Sequence, residues 1–135
     1  MNKDTKPLSN IKVLDLTHML SGPYGSMILA DMGCDVIKIE PPLKGEGTRR
    51  LLENDPDYSH NGMGAYFYTL NRNKKSVAID LKNEEGLEIF YALIKEVDVV
   101  ISNFSAGVTK KLKIDFDTLK KINPKIITCT VSGFG

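Results

Sequence analysis

Five short runs rich in apolar and β-branched residues recur along the chain, with polar segments between them. They are Lys12–Leu16, Asp35–Ile39, Ser76–Asp80, Asp98–Ser102 and Ile126–Val131. Each run is largely apolar rather than alternating, which is the pattern of a strand covered on both faces of its sheet. We therefore predict five buried strands.

Helical patterns lie between most of the predicted strands. Apolar side chains recur at helical spacing at Leu87, Phe90, Tyr91 and Ile94. This spacing predicts a helix over Glu84–Glu96 with one apolar face. Asp115 can cap a second, short helix that Asn123 and Pro124 end. Alternating strands and helices predict an α/β fold with an open, mainly parallel, doubly wound sheet and helices on both faces.

The segment after the first strand leads directly into a helix. Ser21 is expected to cap this helix, and Pro23 suits its first turn. Residues 24–32 are apolar nearly all round, so the helix is predicted to be buried. Gly33 is expected to end it before the second strand.

A long segment, residues 41–63, has no periodic pattern and contains several glycines and prolines. Loops of that length within one domain are usually functional or mobile. A short apolar helix over Ala65–Leu70 is predicted to follow it.

Composition narrows the class of protein. The chain has 135 residues, 41% of them hydrophobic, which predicts one globular domain over residues 1–135 and excludes wholesale disorder. The net charge of +1 gives no reason to expect a nucleic-acid partner. No apolar run approaches the roughly 18 residues of a membrane span, and the polar N-terminus does not resemble a signal peptide. We therefore expect a cytoplasmic protein that does not bind membranes.

The two cysteines, Cys34 and Cys129, cannot form a disulfide framework or a four-cysteine metal site. Neither has a nearby histidine motif, so both are predicted to be inert, buried thiols. No metal is expected.

Ligands of open parallel sheets bind beyond the carboxyl ends of the strands. Four predicted strand exits carry polar groups: His18–Gly22, Asp80–Lys82, Asn103–Ser105 and Ser132–Gly135. The chain lacks the glycine fingerprint of dinucleotide sites and the phosphate loop of many ATPases, which disfavours binding of NAD and ATP.

Each candidate residue has a structural and a functional interpretation. His18 either makes a structural hydrogen bond or contacts a ligand. Asn103 is either a turn residue or a ligand contact. Arg72, Lys74 and Lys75 form a predicted basic turn. This turn is either a solvated surface or a site for an anion. Residues placed at strand ends, with no second acid beside them, are Asp15, Asp80 and Asp98.

Several segments, taken in order, resemble the N-terminal region of class III CoA-transferases. They are KVLDLTHMLSGPYGSMILADMGCDVIKIEPP, GEGTR, AYFYTLNRNKKSVAIDLK, DVVISNFSAGVTKKL and NPKIITCTVSGFG. That family includes formyl-CoA, carnitine-CoA and bile-acid-CoA transferases and acyl-CoA racemases. The resemblance runs from about Leu8 to Gly135.

The resemblance implies a Rossmann-like domain that binds coenzyme A at the carboxyl edge of its sheet. By position, the implied contacts are Leu20, Ser21, Ile79, Asp80, Leu81, Lys82, Asn103, Phe104, Ser105 and Lys111. His18 and the basic residues Arg49, Arg72 and Lys75 are further candidates for this site. Leu20 stands where formyl-CoA transferase has a glutamine, and Pro41 where it has an arginine. A formyl or oxalyl substrate is therefore not favoured, and Arg49 or Arg72 is expected to replace the arginine's phosphate contact.

The implied reaction moves CoA from an acyl-CoA to a carboxylic acid acceptor. An aspartate attacks the thioester, and a mixed anhydride and then an aspartyl-CoA thioester follow. In relatives this aspartate lies some tens of residues beyond the SGFG motif. We therefore expect residues 1–135 to be an incomplete, CoA-binding portion without a catalytic residue, from an enzyme that forms an interlocked homodimer. The alternatives are an α-methylacyl-CoA racemase of the same superfamily and a non-catalytic CoA-binding module.

Overall fold

The computed structural model describes residues 6–133. Its strands are β1 (Lys12–Leu16), β2 (Asp35–Glu40), β3 (Ser59–His60), β4 (Met63–Gly64), β5 (Lys74–Ala78), β6 (Val99–Ser102) and β7 (Ile127–Thr130). Its helices are α1 (Ser21–Asp31), α2 (Ala65–Asn71), α3 (Glu84–Ile94), α4 (Val108–Lys111) and α5 (Phe116–Ile122).

Five strands form one parallel sheet in the order β5-β2-β1-β6-β7. The chain builds outward from β1 on one side and then returns to add β6 and β7 on the other. β3 and β4 form a separate antiparallel pair. The predicted α/β class and parallel sheet are confirmed. This strand order places the switch point, where ligands of such sheets bind, between β1 and β6.

Apolar side chains cover both faces of the sheet. On one face, Leu14 of β1 packs in a cluster with Phe90 of α3 and Leu119 of α5. On the other face, Val13 of β1 packs with Ala30 of α1. Adjacent residues of β1 thus serve opposite layers, as a strand buried on both faces requires.

The predicted boundaries hold for β1 but not for β5. The predicted strand Ser76–Asp80 lies two residues earlier, at Lys74–Ala78. The strand includes Lys74 because its ammonium group is buried against Asp15 of β1. Helix α4 was not predicted from the sequence.

Helix α1 differs from its prediction in two ways. The prediction that it is buried nearly all round is wrong, because Tyr24 and Ile28 are exposed. Ser21 is the first helical residue rather than the cap, and the cap position, Leu20, makes no side-chain hydrogen bond. Gly33 does follow the helix with φ of 109°, a conformation that favours glycine.

The long segment, residues 41–63, contains a 3-10 turn at Gly47–Arg49 and the strands β3 and β4. Two of its polar residues, Glu46 and Thr48, are fully buried. The segment is therefore packed onto the sheet edge at this point.

The two thiols have different environments. Cys34 is buried, as predicted, and burial raises the pKa of its thiol. The prediction for Cys129 is wrong, because it is exposed on the edge strand β7. Among residues 6–133, no helix combines the length and the apolar character needed to cross a membrane.

Candidate functional site

The carboxyl ends of β1 and β6 are joined by one asparagine. The side-chain oxygen of Asn103 accepts a hydrogen bond from the backbone nitrogen of His18 at 2.8 Å. Its side-chain nitrogen donates to the carbonyl oxygen of His18, also at 2.8 Å. This reciprocal pair fixes the two strand exits relative to each other. The amide of Asn103 therefore has a structural partner at the switch point of the sheet.

Three clefts surround this point, and Phe104 lines all of them. The first cleft, about 210 Å³, includes His18 and Ile79–Lys82. The second, about 660 Å³, includes Ser21, Asn103 and Ser105. The third, about 690 Å³, lies between the start of α3 and α4. The three clefts thus lie next to one another around Phe104, and together they make a concave surface at the carboxyl edge.

Three lysines, Lys82, Lys111 and Lys113, line the third cleft. All three are exposed. Within residues 6–133, no ion pair or side-chain hydrogen bond engages their ammonium groups. These cations are available to an anionic ligand, which charge-assisted hydrogen bonds would hold.

His18 forms an aromatic wall of the first cleft. Its ring lies 5.4 Å from that of Phe104, between centroids, at an interplanar angle of 53°. Burial lowers the pKa of His18, and the nearby charge of Lys38 lowers it further. The imidazole is therefore neutral at pH 7 and supplies a flat, uncharged surface.

Behind β1 lies a buried ion cluster that the sequence analysis did not find. Asp15 is fully buried and accepts a 2.9 Å bond from Lys74, while Lys38 lies 3.8 Å away. Ser26 of α1 donates to the same carboxylate at 2.6 Å. Burial raises the pKa of Asp15, but the two lysines and the hydroxyl bonds outweigh it, so the pKa lies below its usual range. Asp15 therefore stays ionised and fully partnered.

A second buried pair lies at the end of β2. Both oxygens of Glu40 bind Arg49, at 2.7 Å from Nε and 2.6 Å from Nη2. Burial raises the pKa of Glu40, but the bonds from Arg49 and Ser76 outweigh it and bring the pKa to about 2. The guanidinium also stacks on Phe67, 3.8 Å from the ring centroid. Arg49 therefore lies at the carboxyl edge, but its side chain is already engaged.

Glu46 carries a third buried carboxyl group. One oxygen accepts a bond from the backbone nitrogen of Met19 at 2.9 Å. The other accepts from the backbone nitrogen of Thr48 at 3.1 Å and from its hydroxyl. Glu46 thus joins the long segment to the exit of β1. Only its place in the non-periodic segment could have drawn attention to it in the sequence.

The structure brings most of the predicted site residues together around the three clefts, but not all of them. Arg72 pairs with Asp31 at the end of α1, at 2.5 Å. Lys75 pairs with Asp35 at the start of β2, at 2.7 Å. Both pairs lie toward the amino edge of the sheet, away from Phe104. Leu20 is exposed beside the second cleft. Of the fourth predicted strand exit, Phe134 and Gly135 lie outside the described residues.

Several known proteins are similar to this chain in sequence. A model of "CoA-transferase family III" matches residues 8–135. The formyl-CoA:oxalate CoA-transferase of Afipia carboxidovorans is 42% identical over 130 residues, which are 96% of this chain and 30% of that protein. The succinyl-CoA:mesaconate CoA-transferase of Haloarcula hispanica is 41% identical, over 95% of this chain and 32% of its own length. The chain thus spans about a third of the length of these curated relatives.

A solved structure has the same fold. A CAIB/BAIF family protein from Brucella suis matches with a TM-score of 0.87 and 41% identity, over 96% of this chain and 34% of that one. Sequence and structure agree on the same relationship. The chain belongs to CoA-transferase family III.

Proposed function

We propose that this chain forms the CoA-binding part of an enzyme that transfers CoA from an acyl-CoA to a carboxylic acid. The observation that carries the proposal is the concave surface around Phe104, at the switch point of the sheet. Family membership also supports this proposed function, because the named relatives are CoA-transferases.

The chemistry of this surface suits coenzyme A. The molecule carries a diphosphate and a separate phosphate, which need cations, and an adenine, which needs a flat apolar wall. Lys82 and Lys111 supply unengaged ammonium groups. Phe104 and neutral His18 supply aromatic surface next to them. Asn103 contributes by fixing the backbone of His18.

We further propose that the reaction passes through an aspartyl-CoA thioester whose aspartate is not among residues 6–133. Two buried carboxyl groups near this edge already have partners, and the exposed Asp80 of the first cleft accepts a bond from the backbone nitrogen of Lys82 at 3.0 Å. Asp15 is held by two lysines and Glu40 by Arg49, and both are shielded from solvent. A nucleophilic carboxylate must reach the thioester carbon, which neither can do without breaking its ion pairs.

The proposed substrates are an acyl-CoA and a carboxylic acid acceptor. The named relatives use different acids while sharing about 40% identity with this chain. Similarity at that level therefore does not choose the acid. The exposed side chain of Leu20, beside Ser21 of the second cleft, is the first position to vary in a test of acid preference.

Isothermal titration calorimetry of the 135-residue chain with CoA and with NAD tests the proposal. We expect CoA to bind more tightly. Lys111→Gln should weaken CoA binding by about three- to tenfold, the range for one charge-assisted contact at an exposed site. Lys95→Gln is the matched control. Lys95 is also an exposed lysine, but it follows the last residue of α3, whereas the third cleft lies at the start of that helix. Tighter binding of NAD, or equal losses in the two variants, would contradict the proposed site.

A further inference from the structure

The segment between β1 and α1 contains a residue in a rare conformation. Met19 has φ of 67°, in the left-handed region that side chains other than glycine and asparagine seldom adopt. His18, directly before it, lines the first cleft, and Ser21, two residues after it, lines the second. The conformation of Met19 therefore sets how these two clefts lie relative to each other.

Three side chains from different parts of the chain hold this segment. Lys38 donates to the carbonyl oxygen of Thr17 at 2.7 Å, and Asn103 binds the backbone of His18 in both directions. Glu46 binds Met19 itself, by accepting its backbone N–H at 2.9 Å. Lys38 and Asn103 fix the approach to the turn, whereas Glu46 acts on the residue with the unfavourable φ.

Glu46 is itself held firmly. Its side chain is buried, and its second oxygen is bound by Thr48. Its backbone nitrogen donates to Glu40 at 2.7 Å, and Glu40 is paired with Arg49. A carboxyl group fixed in this way is a rigid acceptor for the N–H of Met19.

We propose that Glu46 is a positioning residue of the CoA site. It holds Met19 in its left-handed conformation and so keeps His18 and Ser21 correctly placed relative to each other. The identity of the ligand rests on the proposed function. The link between Glu46 and Met19 does not. Without the bond, the turn spends part of its time in other conformations. The apparent dissociation constant then rises by the inverse of the fraction that remains competent.

The test compares CoA affinity and amide exchange in single and double variants of the 135-residue chain. Glu46→Ala is expected to weaken CoA binding by about tenfold, the upper range for one lost hydrogen bond. It should also remove the hydrogen-exchange protection of the Met19 amide. Adding Met19→Gly should recover at least about threefold in affinity, because glycine adopts positive φ without a steric cost.

Met19→Ala is the matched control for this rescue. Alanine removes the same side chain beyond Cβ but keeps the cost of the left-handed conformation. The double variant Glu46→Ala with Met19→Ala should therefore stay as weak as Glu46→Ala alone. Thr48→Val removes the hydroxyl bond to the other oxygen of Glu46 and leaves the Met19 bond in place. We expect it to keep the Met19 amide protected. Equal rescue by alanine and glycine would overturn the proposal, because it would show that the backbone conformation is not what Glu46 supplies.

Two measurements keep the outcome decisive. Should Glu46→Ala fail to fold, Glu46→Met fills a similar volume and offers no oxygen acceptor to the N–H of Met19. The same loss and the same selective rescue are expected from it. Should the wild-type chain not bind CoA, the proposed function fails, whereas exchange at the Met19 amide still tests the positioning role without any ligand. A Met19 amide that stays protected in both Glu46 variants would refute that role.

Discussion

Replacing Glu40 with glutamine removes a carboxylate that is 2% exposed and binds Arg49 through both oxygens. The pKa of Glu40 lies at about 2 in the folded chain, against an ordinary value of 4.5. A difference of about 2.5 pKa units corresponds to about 3 kcal/mol of linked folding free energy. Because the folded pKa is the lower one, this stabilisation is complete above pH 4.5 and is lost as the pH falls toward 2.

Urea denaturation followed by circular dichroism measures this loss. Between pH 6 and pH 3 the contribution of Glu40 should fall by about 2 kcal/mol, since pH 3 lies about 1.5 units below the unfolded pKa. The wild-type chain should therefore lose about 2 kcal/mol more than Glu40→Gln over that interval. Other acids with lowered pKa, such as Asp15, contribute to both chains and cancel in the difference.

Two controls isolate the ion pair. Glu88→Gln also removes one negative charge, but from an exposed position on α3, and should keep the pH dependence of the wild-type chain. Arg49→Gln removes the main favourable partner of Glu40 and leaves only the bonds from Ser76 and the backbone nitrogen of Glu46 to offset burial, so the stabilisation lost between pH 6 and pH 3 should become smaller. Equal losses in the wild-type chain and in Glu40→Gln would refute the assignment of a low pKa to Glu40.

Three further outcomes are expected. Gly22→Ala should lower the free energy of unfolding by about 1–3 kcal/mol in thermal denaturation, because its Cβ would lie 2.5 Å from that of Thr17. Gly25→Ala in the same helix meets no atom within 4 Å, so it should raise the free energy of unfolding by up to about 1 kcal/mol. Phe104→Ala should weaken CoA binding more than tenfold by calorimetry, because its ring lines all three clefts. Arg72→Ala, which removes an exposed ion pair, should leave the unfolding midpoint nearly unchanged.

The sequence predicted the sheet well because the buried strands are apolar throughout. β1 has the predicted bounds, and the chain alternates between strands and helices in the way that a parallel sheet requires. Of the two predicted caps, Ser21 was wrong and Asp115 was confirmed. Asp115 accepts a bond from the backbone of Thr118, and the helix ends at Ile122, just before Asn123. Local patterns are sufficient where one residue and its near neighbours determine the structure.

The prediction failed where charged side chains are buried. Lys74 looked like part of a surface turn, yet it lies in the sheet because Asp15, 59 positions away, accepts a bond from its ammonium group. Glu46 and Met19 are similarly 27 positions apart. No spacing rule links such residues, since their partners meet only after the strands have paired. Tyr24 and Ile28 show the opposite case, in which apolar residues of α1 remain exposed.

The site residues divide in the same way. Residues at strand exits could be found from the sequence, because parallel strands end at one edge, and His18 and Asn103 do meet there. Arg72 and Lys75 were chosen for charge alone, and each has an aspartate partner at the amino edge. Charge alone therefore did not predict on which edge of the sheet these two side chains lie.

The partnering of the buried charges determines which cations can attract an anion. Six acidic and basic residues lie in or against the core around β1 and β2: Asp15, Glu40, Glu46, Lys38, Arg49 and Lys74. Each already has a partner within the fold, so these side chains shape the strand exits instead of offering a free charge to a ligand. The exposed lysines of the third cleft share it with one acidic residue, Glu84, and form no ion pair among residues 6–133. In the proposed site, the attraction for a phosphate-bearing ligand would therefore come from Lys82, Lys111 and Lys113, and the buried network would keep the wall beside that ligand rigid.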